Sequence, residues 1–191
     1  MSKKKLCKSF YQVRIIGGKW KGRKISVFNC NELRPTMDSI KETLFNWLIP
    51  FIQKTRCLDC FAGSGSLAIE ALSRYAAAAT FIEIKRHAAL QIKANLEKLG
   101  AKNSQVINHD ILNYLSHKGS PYDIIFLDPP FRKNLLKNTS ILLEQNGWLT
   151  KNCWIYIETE IENNLNILPK NWLIYRQKKV GQVAYCLYTR Y

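Results

Sequence analysis

Between residues 56 and 160 the chain alternates between short apolar runs of strand character and longer runs of helical periodicity. Strands are predicted at 56–62, 79–84, 104–110, 122–128 and 153–160, and helices at 66–75, 86–99, 111–119 and 134–146. Two further strand-like runs follow at 171–180 and 183–190. Strands that alternate with helices pair in parallel and are covered by helices on both faces. The sequence therefore predicts an α/β, Rossmann-like fold with a doubly wound, mostly parallel, seven-stranded sheet.

The segment before this alternation predicts a small extension. Residues 13–28, "VRIIGGKWKGRKISVF", contain two short strand patterns around a glycine-rich turn, which is typical of a β-hairpin. Apolar residues at helical spacing then predict an amphipathic helix at 38–49. A length of 191 residues fits one domain with an appendage. We therefore divide the chain into a basic tail with a hairpin, 1–37, and a main domain, 38–191.

Charge indicates the kind of partner. The formal net charge is +15, and nine cations precede the first acid, Glu32. They continue beyond the N-terminal tail into the hairpin, where they mix with Tyr11 and Trp20. A polyanion, above all nucleic acid, is the natural partner of such a segment, and a solvated basic tail is the alternative.

Several classes of protein are not supported by the sequence. No apolar run reaches the length of a membrane span, and "MSKKKLCKSF" lacks the apolar region of a secretory signal. We therefore expect a cytoplasmic protein with no membrane contact. Cys57 and Cys60 form a CxxC, but residues three apart on a strand point to opposite faces, and no second pair completes a zinc site. Buried thiols and no metal are expected.

The loop after the first strand of the alternation, "LDCFAGSGSLAIEA", predicts a nucleotide-like cofactor. Gly63 and Gly65 fit the G-x-G-x-x-A pattern, in which glycines let the backbone turn sharply and approach a ligand. Glu83 ends the next strand, where an acid can accept ribose hydroxyls. NAD and S-adenosylmethionine both fit these features. Asp59 favours S-adenosylmethionine, which carries an ammonium and a sulfonium, over a pyrophosphate. Asp110 could receive an adenine amino group.

The stretch "DPPF" at 128–131 suits methyl transfer to an exocyclic amine of a base. The Asp128 carboxylate and the Pro129 carbonyl can accept the N–H bonds of the amine, and proline rigidity fixes both acceptors. Phe131 can stack on an unpaired base, and Arg132 can hold a phosphate. A strand break with a core phenylalanine is the alternative reading of the same residues.

Four segments resemble the bacterial 16S ribosomal RNA (guanine-N2)-methyltransferases that modify guanine 966. They are "LRPTMDSIKETLFNWL", "LDCFAGSGSLAIEALSR", "DPPF" and "ENNLNILPKNWLIYRQKKVGQVAYCLYTR". The resemblance covers about residues 10–191. It implies a class I methyltransferase fold with a final antiparallel strand and S-adenosylmethionine as the methyl donor. It also implies that the substrate is 16S rRNA in the assembled or assembling 30S subunit. We expect the protein to act as a monomer.

The resemblance also implies roles for individual residues. The target amine would meet Asp128, Pro129, Pro130 and Phe131. The cofactor would be lined by Asp59, Phe61, Ala62, Gly63, Gly65, Glu83, Asp110, Ile111 and Thr36. The loop at 34–36 would cover cofactor and substrate. RNA would be contacted by Arg14, Lys19, Lys21, Arg23, Lys24, Arg34, Lys41 and Arg132.

Three other functions are compatible with parts of the pattern. An amino-methyltransferase acting on adenine or cytosine of another RNA or DNA would use the same "DPPF" chemistry, since this stretch does not read the base. An NAD-dependent oxidoreductase would share the glycine loop. A non-catalytic RNA-binding protein would share the basic hairpin, although it would not need Asp128 with Gly63 and Gly65.

Overall fold

A computed structural model describes residues 10–28, 38–130, 135–160 and 167–191 of the chain. The strands are β1 (Phe10–Arg14), β2 (Lys24–Phe28), β3 (Arg56–Asp59), β4 (Ala78–Ile82), β5 (Ser104–Ile107), β6 (Tyr122–Leu127), β7 (Leu149–Glu160), β8 (Trp172–Val180) and β9 (Val183–Arg190). The α-helices are α1 (Asp38–Leu48), α2 (Ser66–Ser73), α3 (Arg86–Leu99), α4 (Ile111–Leu115) and α5 (Leu135–Gln145). A 3-10 turn, Gly18–Trp20, lies between β1 and β2.

The main sheet has seven strands in the order β5-β4-β3-β6-β7-β9-β8. The first five of these strands pair in parallel, and β9 runs antiparallel to both of its neighbours. The predicted α/β fold with a mostly parallel sheet and a final antiparallel strand is therefore confirmed. Strand β7 begins at Leu149, earlier than predicted, because its first residue already pairs with Tyr122 across a register irregularity.

Two apolar clusters lie on the two faces of the sheet. One contains residues of the hairpin, α1, α2 and α3, and the other contains residues of α4 and α5. Cys57 belongs to the first cluster and Cys60 to the second, as expected for strand residues three apart. Burial raises the pKa of Cys57 to about 12, so its thiol stays protonated at neutral pH.

The hairpin packs directly on two helices of the main domain. Ser73 in α2 donates its hydroxyl hydrogen to the Gly17 carbonyl at 2.6 Å and accepts from the Trp20 amide at 3.0 Å. Asn95 in α3 exchanges two hydrogen bonds with the backbone of Ser26, at 3.2 and 2.8 Å. These contacts fix one face of the hairpin against the core and leave the other face to solvent.

Trp20 is a core residue, which corrects the interpretation of it as part of a nucleic-acid surface. Only 7% of the residue is exposed, and it packs in the apolar cluster shared with α1 and α2. Gly18, with φ of +73°, lets the turn approach so closely that a Cβ there would overlap the Ser73 carbonyl. The predicted boundary at residue 37 lies outside the described residues and stays a prediction.

Candidate active site

Four parallel strands are followed by an acid at the same edge of the sheet. Asp59 ends β3, Glu83 follows β4, Asp110 follows β5 and Asp128 follows β6. The parallel pairing of these strands brings their carboxyl ends together. In open α/β sheets this edge is where ligands bind. The fold therefore gathers the four acids that the sequence singled out.

The glycine loop between β3 and α2 is a tight turn. Gly63 and Gly65 have φ of +52° and +75°, values at which a residue with a Cβ is strained. The Gly65 amide donates to the Ala62 carbonyl at 2.6 Å, and the Ala62 amide donates to Ile82 of the neighbouring strand at 2.9 Å. A Cβ on Gly65 would lie 3.2 Å from the side chain of Ile92. The second glycine therefore allows α2 and α3 to pack closely beside the loop.

Glu83 joins the glycine loop to the start of α3. Its two carboxylate oxygens accept the amides of Gly63 and Lys85, both at 2.7 Å. The residue is buried, with 7% of its surface exposed. Each carboxylate oxygen has a second lone pair, so a ribose hydroxyl can still be accepted beside the two amides. Glu83, which is predicted to bind the ribose, therefore also stabilises the glycine loop.

Asp59 is a buried carboxyl group with 2% of the residue exposed. Burial is the main cause that raises its pKa from 3.8 to about 7, and the nearby Glu83 charge raises it further. Hydrogen bonds from the backbone of Phe61 and Ala68 act in the opposite direction. A cation placed beside this carboxyl group would restore its charged form.

The remaining predicted cofactor residues line the same edge. Asp110 caps α4 by accepting the Asn113 amide at 3.0 Å, and Ile111 is buried behind it. Phe61 is half-buried and Ala62 is buried, both in the loop itself. Thr36 lies outside the described residues, so its predicted role stays a prediction.

These residues fit S-adenosylmethionine, the cofactor that the sequence resemblance implies. Asp59 is a buried acid that a ligand cation would keep ionised, and Glu83 has acceptor capacity for a ribose. A pyrophosphate would instead meet the acidic Asp59 at the end of β3, which offers it no positive charge. The carboxyl groups of Asp59 and Glu83 together favour a cationic nucleoside ligand.

Asp128 occupies the predicted amine site at the end of β6. It is half-buried, Pro129 is buried and Pro130 is exposed. Removal of its carboxyl group from water raises the pKa of Asp128 well above its usual range, and the charges of Glu158 and Asp59 raise it further. Phe131 and Arg132 lie outside the described residues, and their roles stay predictions.

The hairpin presents a basic face away from the core. Its exposed cations are Arg14, Lys19, Lys21, Arg23 and Lys24. Two of them also have partners within the protein. The Lys19 ammonium lies 4.4 Å from the centre of the Trp20 ring, and the Arg23 guanidinium donates to the Lys98 carbonyl at 2.7 Å. The cations of the hairpin therefore lie on a fixed surface, whereas those of the tail, at positions 3–8, lie outside the described residues.

Lys41 does not belong to this basic surface, which corrects its prediction as an RNA contact. Only 1% of the residue is exposed. Its ammonium donates to the Arg14 carbonyl at 2.8 Å and pairs with Asp38 at 3.1 Å. The spacing explains the placement, because residue 41 lies on the same helical stripe as the buried Phe45 and Leu48. Arg34, also predicted to contact RNA, lies outside the described residues.

One acid near the amine site was not predicted from the sequence. Glu158 lies in β7, the strand beside β6, and its charge contributes to the raised pKa of Asp128. In the sequence it sits inside a strand pattern rather than after one. Knowledge of the strand order was needed to place it beside Asp128.

The fold and this edge define a Rossmann-like methyltransferase. The comparisons with known proteins agree with that class. Residues 13–189 match the family described as Conserved hypothetical protein 95. A solved structure described as a putative methyltransferase from Escherichia coli superposes with a TM-score of 0.87 at 53% identity, over 94% of this chain and 98% of that one.

Two curated relatives carry a more specific name. Ribosomal RNA small subunit methyltransferase D of Escherichia coli K12 is 54% identical over 179 residues, which cover 94% of this chain and 90% of the relative. The protein of the same name from Haemophilus influenzae is 49% identical over 181 residues, with 93% of each chain covered. The chain therefore belongs to the family that contains these ribosomal RNA methyltransferases, and the resemblance stated from the sequence is confirmed.

Two kinds of feature are absent from the described residues. No helix there is long and apolar enough to cross a membrane. No group of three or more histidine, cysteine or acidic side chains in that part of the chain is arranged to hold a metal ion.

Proposed function

We propose that the protein transfers a methyl group from S-adenosylmethionine to the exocyclic N2 of a guanine in 16S ribosomal RNA. By family resemblance the guanine is residue 966. The substrate is the assembled or assembling 30S subunit, and the protein acts as a cytoplasmic monomer. The position of Asp128 gives the strongest support for this proposal. It lies at the end of β6, beside a glycine loop, in a chain whose relatives are named as ribosomal RNA methyltransferases.

The cofactor is held at the edge formed by β3, β4 and β5. Asp59 faces its cationic amino-acid portion, Glu83 accepts its ribose hydroxyls and Asp110 receives its adenine amino group. Gly63 and Gly65 permit the close approach of the loop. When bound, S-adenosylmethionine supplies an electrophilic methyl group on a positively charged sulfur.

The protein prepares the amine and does not deprotonate it before methyl transfer. The new N–C bond would replace the S–C bond of the donor, and the methylated nitrogen, which is acidic, would then lose its extra proton to the Asp128 carboxylate. The lone pair of an exocyclic amine is delocalised into the base, so the nitrogen is a weak nucleophile in its planar form. Acceptance of its N–H bonds by the Asp128 carboxylate and the Pro129 carbonyl favours a pyramidal nitrogen with its lone pair directed outward. Both acceptors are fixed by the end of β6 and by proline geometry, so the contribution is orientation and fixed electrostatics. Phe131 stacks on the base, and Arg132 holds an adjacent phosphate.

The hairpin positions the RNA. Its exposed cations contact phosphates, which fix orientation without reading sequence. Because Ser73 and Asn95 hold the hairpin against α2 and α3, the cations keep a constant place relative to the glycine loop. Arg34 would supply a further phosphate contact.

A direct test compares methyl incorporation into under-methylated 30S particles and into protein-free 16S rRNA. We expect the wild type to methylate the particles faster. We expect the Asp128→Ala variant to be inactive on both substrates while it still binds S-adenosylmethionine. Near-normal turnover by that variant would overturn the mechanism.

A further inference from the structure

Glu158 lies beside Asp128 on the same face of the sheet. Strands β6 and β7 are adjacent and parallel, with Leu127 paired to Ile157, so Asp128 and Glu158 are the next residues along each strand. Two residues earlier on each strand, and therefore on the same face, the rings of Phe126 and Tyr156 lie 6.5 Å apart. Side chains alternate along a strand, so both acids follow these rings. Adjacent strands are about 4.8 Å apart, which allows both carboxyl groups to reach one base edge.

Aromatic neighbours hold Glu158 in place. The Tyr156 hydroxyl donates to one Glu158 carboxylate oxygen at 3.1 Å. Tyr185 of β9 is the cross-strand partner of Glu158, and only 1% of it is exposed. The Trp47 ring of α1 lies 6.5 Å from the Tyr185 ring. A carboxylate offers about four lone-pair sites, and the hydrogen bond from Tyr156 uses one of those on Glu158.

The three amine-bearing bases differ in what lies beside the amine. In guanine the exocyclic N2 lies between N1–H, a donor, and N3, an acceptor, so guanine alone has a donor beside its amine. In adenine and cytosine the exocyclic amine is next to a ring nitrogen that is an acceptor. An ionised carboxylate is an acceptor only, so it stabilises a neighbouring N–H and opposes a neighbouring lone pair. Two ionised carboxylates side by side therefore match guanine alone, because its N2–H and N1–H donors would oppose the burial and the Glu158 charge that raise the pKa of Asp128.

We propose that Glu158 is the residue that selects guanine, by accepting the N1–H of the base while Asp128 accepts an N–H of N2. This inference rests on the proposed function, because it assigns the base specificity of the same site. Glu158 would thereby recognise the base, which the "DPPF" stretch does not do, since Asp128 and Pro129 contact only the amine. The influence of the Glu158 charge on the pKa of Asp128 agrees with the closeness of the two groups.

The experiment uses 30S particles reconstituted with guanine or 2-aminopurine at the methylated position. 2-Aminopurine keeps the N2 amine and carries an acceptor at N1 in place of the donor. We expect wild-type kcat/KM to favour guanine by about 10- to 100-fold, the range for one well-placed base contact. Glu158→Gln should reduce this preference to below about threefold, because an amide can donate or accept.

Two further variants separate base selection from loss of structure. Glu160→Gln makes the same chemical change two residues along β7 and should keep the wild-type preference. Tyr156→Phe removes the hydroxyl that orients Glu158 and should lower the preference partway. Affinity for S-adenosylmethionine and the unfolding midpoint should be unchanged in Glu158→Gln.

The outcomes distinguish this inference from the proposed function. Equal methylation of the two bases by the wild type would overturn the role of Glu158 and leave the proposed function standing. An equal loss on both bases in Glu158→Gln, with the preference intact, would also overturn it. No methylation of guanine by the wild type would overturn the proposed function itself.

Discussion

Ligand-free protein should become less stable as pH rises from about 4 to 7, because of Asp59. Burial raises the pKa of this carboxyl group from 3.8 to about 7. Between those two values the folded chain keeps a proton that the unfolded chain has released. The free energy of unfolding therefore falls across this window and levels off above it. Asp59→Asn is uncharged throughout and should not show this contribution.

The size of the effect follows from the pKa interval. From 3.8 to about 7, at 1.36 kcal/mol for each pKa unit, the contribution is about 4 kcal/mol. The difference in unfolding free energy between Asp59→Asn and the wild type should therefore grow by about this amount between pH 4 and pH 8. In the same variant, S-adenosylmethionine should bind more weakly by about 1.5–3 kcal/mol, the range for a hydrogen bond to a charged group.

Urea unfolding at several pH values, without ligand, measures the stability difference. Glu42→Gln, a change at an exposed acid of α1, serves as the control and should show no such trend. If the difference between Asp59→Asn and the wild type stays constant from pH 4 to pH 8, Asp59 is ionised in the folded protein and its pKa is not raised. Calorimetry measures the affinity of Asp59→Asn and of the wild type for S-adenosylmethionine.

Three further outcomes follow from the site. Asp128→Ala should abolish turnover and leave the affinity for S-adenosylmethionine within a few-fold, since its carboxylate serves the amine; tritium transfer and calorimetry measure the two. Glu83→Ala should weaken that affinity by about 1.5–3 kcal/mol, and unchanged affinity would place the ribose elsewhere. Replacing Lys21 and Lys24 with alanine should make the plot of log K for RNA binding against log salt concentration less steep, by about 0.7–0.9 for each phosphate that is no longer neutralised. Lys151→Ala should leave this slope unchanged.

Local sequence was sufficient for much of the fold and for the cofactor edge. Strand-then-helix periodicity predicted the sheet, and an acid after each strand predicted a shared edge, because parallel strands bring their carboxyl ends together. Gly63 and Gly65 have the positive φ values that a tight loop requires. These features depend on neighbours in sequence, which is why they could be predicted.

Other features depend on contacts between distant segments. Trp20 and Lys41 were misassigned because their burial requires the hairpin to dock on α2 and α1, through partners such as Ser73 and the Arg14 carbonyl. Glu158 was missed because only the order of strands places β7 beside β6. No local pattern distinguishes an exposed cation from one whose stem is covered by another element.

Mapping the methylated nucleotide tests the proposed target base and its position together. Under-methylated 30S particles would be incubated with the protein and S-adenosylmethionine, and the 16S rRNA would be digested and analysed by mass spectrometry. We expect N2-methylguanine at a single position, guanine 966, and none with Asp128→Ala. Methylation of an adenine or cytosine amine, or no RNA methylation by the wild type, would contradict it.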